Sequence, residues 1–127
     1  MADSPAFAVT PRLASVNIAT ANTNRDGSGT VATLIQGAST GTRVAEVVVQ
    51  ARVTTTAGMV RVFLYDGTTY RLFDEISVAA ATVSASVKGT RVSTTYNNLI
   101  LPSAAWSIVV ATHNAESIDV TAFGADL

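Results

Sequence analysis

Alternation of apolar and polar residues runs through most of the chain and predicts β-strands. The clearest case is the segment AGMVRVFLYDGTTYRLFDEI, residues 57–76, in which two alternating runs, residues 59–65 and 70–78, flank Asp66-Gly67. Asp-Gly between two such runs is a strong β-hairpin signal, because both residues tolerate positive φ. Each strand of this hairpin has one apolar face that we expect to be buried. These faces are Val60, Val62 and Leu64 in the first strand and Leu72, Ile76 and Val78 in the second.

Further strands are predicted on both sides of the hairpin. They cover residues 13–20, 30–36, 43–53, 90–96, 99–101, 105–112 and 117–123. The longest, residues 43–53, is predicted to bury Ala45, Val47, Val49, Ala51 and Val53. Residues 79–88 fit either a loop or a weak strand. About eight strands separated by turn residues, with no apolar run of helical period, predict an all-β fold, an antiparallel β-sandwich of jelly-roll-like type.

The N-terminal residues 1–11 differ from the rest and are predicted to form an extended arm. Pro5 and Pro11 oppose helix, and the only sizeable apolar side chains between them are Phe7 and Val9. We therefore divide the chain into residues 1–22, the arm and first strand, and residues 23–127, the sandwich domain. An arm of this kind is either disordered or lies along a neighbouring subunit. In the second case we expect Phe7, Val9 and Arg12 to make the contacts.

Composition narrows the possible functions. The 127 residues carry a net charge of −1 with 13% charged residues, and the basic residues are scattered singly, which argues against nucleic-acid binding. Without cysteine there are no disulfides and no thiolate metal sites. No apolar run is long enough to cross a membrane, and the N-terminus does not resemble a secretory signal. A weakly charged surface is typical of a protein that associates with further copies of itself or with a larger assembly. The alternative interpretation is an ordinary β-sandwich whose Thr-rich face is exposed to solvent.

One loop has the opening of a calcium site. In Asn22-x-Asn24-x-Asp26-Gly27 the oxygens alternate and glycine takes the sixth position, but the twelfth position is Thr33 instead of a bidentate Glu. Asn and Asp before Gly are also ordinary turn residues. We therefore predict a turn and no metal site.

No arrangement of residues predicts an enzyme. His113 is the only histidine, it lies in a turn, and no serine has a G-x-S-x-G context. Asp74 and Glu75 are adjacent, so they point to opposite faces of a strand. We therefore expect neither catalytic activity nor a cofactor. The aromatic residues Tyr65, Tyr70 and Trp106 fit core packing, with sugar binding as the alternative.

Three segments carry a resemblance to a known family. NRDGSGTVATLIQGASTGTRVAEVVVQA, TTTAGMVRVFLYDGTTYRLFDEISV and ATHNAESIDVTAFGADL resemble small virion proteins of tailed bacteriophages, commonly labelled head decoration. The resemblance covers residues 24–127 and implies capsid association, without any site residues to transfer.

The expected function is therefore that of a decoration, or cement, protein on the capsid surface of the virion, made in the host bacterial cytoplasm. Its expected partners are the major capsid protein and two further copies in a homotrimer, and it is expected to bind neither nucleic acid nor membrane. The alternative is a tail or fibre module that binds host carbohydrate through Tyr65, Tyr70 or Trp106.

Overall fold

The computed structural model describes residues 10–127, which form nine β-strands in two antiparallel sheets. The strands are β1 (Thr10–Ile18), β2 (Ala32–Gln36), β3 (Thr42–Ala51), β4 (Gly58–Tyr65), β5 (Tyr70–Val78), β6 (Arg91–Thr95), β7 (Ile100–Leu101), β8 (Ser107–Thr112) and β9 (Ile118–Asp126). The predicted all-β sandwich is confirmed. Within the described part there is no helix long and apolar enough to span a membrane.

The order of the strands gives the topology. The first sheet has the order β1-β9-β3-β6, with β7 also paired to β3, and the second has the order β2-β8-β4-β5. The pairs β1–β9, β2–β8, β3–β6 and β4–β5 are nested around the turn between β4 and β5. The chain is therefore one long antiparallel hairpin, rolled up so that alternate pairs fall into opposite sheets, which is a jelly roll. The predicted central hairpin is the tip of this larger one.

The turn at this tip is a four-residue loop closed by Asp66. One carboxylate oxygen of Asp66 accepts hydrogen bonds from the backbone N–H groups of Thr68 and Thr69, at 2.9 and 2.7 Å. These bonds lower the pKa of the Asp66 carboxyl, with the bond from Thr69 the larger cause. Gly67 has a φ of +96°, whereas Asp66 does not have positive φ. Of these two residues, which both tolerate positive φ, only Gly67 adopts it.

The main core lies between the two sheets. Its largest fully buried aliphatic side chains come from strands of both sheets: Ile35, Val44, Val47, Val49, Val60, Val62, Leu101, Ile108, Val110, Ile118 and Val120. In β1 the side chains of Ala14, Val16 and Ile18 face this core, as alternation predicts. The first predicted strand is thus an edge strand of the first sheet and covers Thr10–Ile18 of the described residues.

A β-bulge changes the expected face of Leu72. Val62 pairs with Asp74, but the next residue, Phe63, pairs with Leu72, so Phe73 is an extra residue in β5. An extra residue reverses the alternation of side chains beyond it. Leu72 therefore packs outside the second sheet, while Ile76 and Val78 stay in the main core. The prediction that these three residues share a face is wrong for Leu72.

A second bulge corrects the predicted face of β3. Val44 pairs with Gly124 and Glu46 pairs with Phe123, which leaves Ala45 as the extra residue. Val44 is consequently buried in place of Ala45, while Val47, Val49 and Ala51 face the core as predicted. Val53 lies beyond the end of β3 and is exposed, so the predicted burial of Val53 is wrong.

The ambiguous residues 79–88 form a loop. They contain only two isolated backbone bridges, from Ala81 to Thr55 and from Ser84 to Val87. The Val87 side chain is exposed. The loop interpretation is therefore correct.

The second sheet also buries apolar side chains on its outer face. Phe63, Val109 and Ala111 are almost completely buried there, and Val31, Tyr65, Tyr70 and Leu72 pack around them as a second cluster. The loop of residues 19–31 lies over this face: a side chain at Gly27, where φ is +87°, would collide with Tyr70. The second sheet is thus covered on both faces by the chain itself.

We expect Phe63→Ala to lower the free energy of unfolding by about 3–5 kcal/mol, because it opens a cavity in the second cluster. Phe73→Ala is the matched control. Phe73 lies on β5, the partner of β4 in the same hairpin, and its side chain is 40% exposed. That control should cost less, about 1–2 kcal/mol, because Phe73 is only partly buried and packs against the Tyr96 ring, with ring centres 5.3 Å apart. Urea unfolding of both variants measures the difference, and equal losses would contradict the burial of Phe63.

Candidate interaction surface

The outer face of the first sheet is apolar at one end. Leu13 and Phe123 lie directly opposite each other on β1 and β9, and their side chains are 69% and 42% exposed. Beside this pair on the same face, Arg43 of β3 pairs with Ala125 of β9 on one side and with Ile100 of β7 on the other. The Ile100 side chain is 48% exposed. We call this area the apolar patch; it consists of Leu13, Ala45, Ile100, Phe123 and Ala125. Exposed apolar groups that lie together mark sites of association.

An open depression of about 370 Å³ lies within the apolar patch and is lined by Arg43, Ala45, Phe123, Gly124 and Ala125. Two local features of the sequence form it. The bulge at Ala45 bends β3, and Gly124 lets β9 approach closely, since a side chain there would collide with the backbone carbonyl of Arg43. The depression is therefore a consequence of the way in which the backbones of β3 and β9 pair.

The other end of the same face is polar, and its side chains bond to one another. Ser15 and Thr121 hydroxyls lie 3.1 Å apart across β1 and β9. The Asp119 carboxylate accepts hydrogen bonds from Arg52 at 2.7 Å and from Asn17 at 3.0 Å. These bonds lower the pKa of Asp119, that from Arg52 most. The polar side chains at this end thus form hydrogen bonds with one another, whereas the apolar side chains of the apolar patch stay exposed.

The sequence-predicted contact residues fall into two groups. Phe7 and Val9 lie outside the described residues. Arg12 points between the sheets at one end of the sandwich, where it donates to Asp126 at 2.7 Å and to the carbonyl of Gln36 at 3.1 Å. Asp126 also accepts from Thr42 at 2.8 Å. Arg12 therefore joins the two sheets within the chain, and its role in contacts with a partner stays a prediction.

A buried arginine that the sequence did not single out holds the loop of residues 19–31 in place. The side chain of Arg61 is almost completely buried and donates to the Glu75 carboxylate at 3.1 Å and to the carbonyl of Asn22 at 3.4 Å. Arg25, from the loop, donates two hydrogen bonds of 2.7 and 2.6 Å to the same carboxylate. The alternation in β4 correctly places Arg61 on the outward face, but it gives no sign that a loop covers that face.

His113 lies next to this arginine. Its Nδ1 is 3.3 Å from Nη1 of Arg61, and its backbone N–H donates to the carbonyl of Met59 at 2.9 Å. These contacts belong to the packing of the turn after β8. Within residues 10–127 no three His, Asp or Glu side chains come together as metal ligands.

The loop predicted to be a turn is closed by its own side chains. The buried Asn22 amide donates to the carbonyls of Ser28 and Thr30, at 2.9 and 2.8 Å, and its oxygen accepts from the backbone N–H of Asn24. Asp26 accepts from both the backbone and the hydroxyl of Ser28. These bonds lower the pKa of Asp26. The side-chain oxygens thus serve the turn, as the sequence predicts.

The aromatic candidates for sugar binding do not share one face. Tyr65 and Tyr70 stack on each other with ring centres 4.2 Å apart and pack against the second cluster. The Tyr65 hydroxyl donates to the carbonyl of Gly67 at 3.0 Å. Trp106 instead packs against the main core. All three rings contribute to packing, as the core-packing interpretation predicts.

The fold resembles that of phage capsid structures. No family model matches the chain, and no curated protein matches it significantly. A chain of the acidic stable capsid structure of Helicobacter pylori bacteriophage KHP30 matches with a TM-score of 0.57 and 17% identity, over 95% of this chain and 90% of that one. The cyanophage Pam1 capsid asymmetric unit gives 0.49 and 15%, over 100% and 92%. A pentameric capsid protein from metagenomic phage sequences gives 0.42 and 12%, over 90% and 61%. At 17% identity the match to KHP30 shows a shared fold.

The bonded carboxylates predict a loss of stability in acid. Hydrogen bonds lower the folded-state pKa of Asp119, mainly through Arg52, and of Asp126, mainly through Thr42 and then Arg12. A carboxyl with a lowered folded-state pKa stabilises the fold above its unfolded pKa, about 3.9, and this stabilisation is lost as the pH falls through the folded value. We expect the free energy of unfolding to be nearly constant between about pH 5 and 7 and to decline below about pH 4.

The variant Asp126→Asn tests this assignment by urea unfolding at a series of pH values. It should be less stable than the parent at pH 7 and should show a shallower decline in acid. A decline parallel to that of the parent would contradict the role of Asp126.

Proposed function

We propose that the protein is a decoration, or cement, protein of a tailed bacteriophage, which binds the outer surface of the head and stabilises the shell by bridging capsid subunits. The observation that carries the proposal is the apolar patch on the outward face of a jelly-roll sheet. In this proposal the partners are the major capsid protein and further copies of the chain, arranged as a homotrimer.

The architecture supports a structural role in a virion. Jelly rolls of two four-stranded sheets recur in viral capsids. The alignment with the KHP30 capsid chain extends over nearly the whole length of both chains, so the likeness is not confined to one hairpin. The resemblance of residues 24–127 to head-decoration proteins points in the same direction.

The apolar patch supplies the energy that such binding needs. Complete burial of a fully exposed Leu, Ile or Phe side chain contributes about 1.5–3 kcal/mol, and Leu13, Ile100 and Phe123, which are 69%, 48% and 42% exposed, can contribute roughly half of that each. Of the residues that line the depression, Arg43 alone is charged, and its guanidinium already donates to the carbonyl of Asn97, so little charge has to be desolvated there. If three linked copies bind together, the second and third contacts become intramolecular, and the overall affinity exceeds that of a single copy. The proposed mechanism is binding alone and involves no reaction or cofactor.

Binding to heads tests the proposal directly. Purified protein is mixed with heads assembled without it, the heads are sedimented, and the bound copies per head are counted. We expect saturation at a number fixed by the symmetry of the shell. Phe123→Ser should weaken binding roughly 3- to 10-fold per contact, because burial of the exposed 42% of this side chain contributes about 0.6–1.3 kcal/mol.

Phe73→Ser is the matched control for this experiment. The side chains of Phe73 and Phe123 are 40% and 42% exposed, but Phe73 lies on the edge strand β5 of the other sheet. It should therefore bind heads like the parent. Absence of binding by the parent protein would overturn the proposed function, and equal losses in both variants would overturn the assignment of the patch.

A further inference from the structure

We propose that the depression beside Phe123 receives the N-terminal segment of a second copy of the chain, with Phe7 seated in it. The inference rests on the proposed function, since decoration of a shell brings copies of the chain side by side. It adds the contact that links those copies to one another.

The chemistry of the depression calls for an apolar side chain. Ala45, Gly124 and Ala125 form its small-residue part, and the ring of Phe123 forms a wall. Arg43 lines the remaining side, and its guanidinium is held by a 3.1 Å hydrogen bond to the carbonyl of Asn97. The depression is open to the outside and has a volume of about 370 Å³, so a side chain of another chain can enter it.

The N-terminal segment carries a matching pattern. Residues 4–9, SPAFAV, have no charge, and their only large apolar residues are Phe7 and Val9. Two residues apart on an extended chain, these side chains point to the same side. Ala6 and Ala8 occupy the alternate positions, so the backbone can lie close to another surface.

The position of β1 decides which copy the segment reaches. Thr10 pairs with Asp126, whereas the depression lies beside Pro11, Arg12 and Leu13, which pair with Ala125, Gly124 and Phe123. A segment that continues β1 in the same direction before Thr10 therefore moves away from the depression of its own copy. The depression of the same copy lies in the opposite direction along β1. To enter it, the chain would have to reverse between Phe7 and Pro11.

The sequence at this point does not favour a reversal. Residues 6–10, AFAVT, contain none of Gly, Pro, Asn, Asp and Ser, the residues that dominate tight turns. Pro11 also biases Thr10 towards extended backbone. The segment should therefore run on to a neighbour. Phe7 is three residues from Thr10, so the depression of the second copy must lie within about 10 Å of Thr10.

Cross-linking tests this arrangement, because the chain has no cysteine of its own. Ala8→Cys is prepared in a tagged chain and Ala45→Cys in an untagged chain, and the two are mixed and treated with a short thiol-reactive cross-linker, in solution and on heads. We expect tagged–untagged pairs. Adding Phe7→Ser to the tagged chain should abolish them, and replacing Ala45→Cys with Val87→Cys, at an exposed site in another loop, should give none.

Three results would overturn the inference. These are the absence of pairs both in solution and on heads, pairs that persist with Phe7→Ser, or a link that forms only within one chain carrying both cysteines. Sedimentation with heads is read separately. If the protein binds heads but no cross-linked pairs form, only the arm contact is contradicted. If pairs form but the protein does not bind heads, only the decoration role is contradicted.

Discussion

The pairing of β4 with β8 puts apolar side chains on both faces of the second sheet, and the rest of the fold is arranged to cover them. All six residues of β8 are buried. Ile108 and Val110 face the first sheet, whereas Val109 and Ala111 face outward together with Phe63 of β4. A strand of this kind is stable only if both faces are removed from water. The first sheet covers one face and the loop of residues 19–31 covers the other.

The cover on the outer face makes the sandwich asymmetric. Arg61 and Arg25 both bind the Glu75 carboxylate, one from the sheet and one from the loop, and Gly27 lets the loop lie directly on Tyr70. The outer face of the second sheet is thus occupied by the chain itself. No described segment lies over the apolar end of the first sheet, where Leu13 and Phe123 are exposed. Burial of apolar area in a complex is therefore most favourable at this end.

Alternation in the sequence predicts the strands well, because each strand has at least one face in the core. It predicts β5 to the residue, and it fails at Leu72 and Ala45, since a bulge adds one residue with no distinct sequence signal. The candidate site was harder to predict. Its depression is formed by Ala45 and Phe123, which are distant in sequence and meet only through the pairing of β3 with β9. Arg61 could be placed on an outward face, but local pattern does not show a loop that packs across it.

The edges of the sheets indicate how copies of the chain do and do not associate. β1 carries Pro11, which cannot donate to an added strand, and β2 is short and interrupted by a bulge. β5 carries the inward-pointing Asp74, whose carboxylate accepts from the Tyr96 hydroxyl at 2.7 Å. Burial and this bond raise the pKa of Tyr96. β6 is short and begins with the exposed Arg91. Because each edge discourages the addition of a strand, contact between side chains and an outward face is the favoured mode of association.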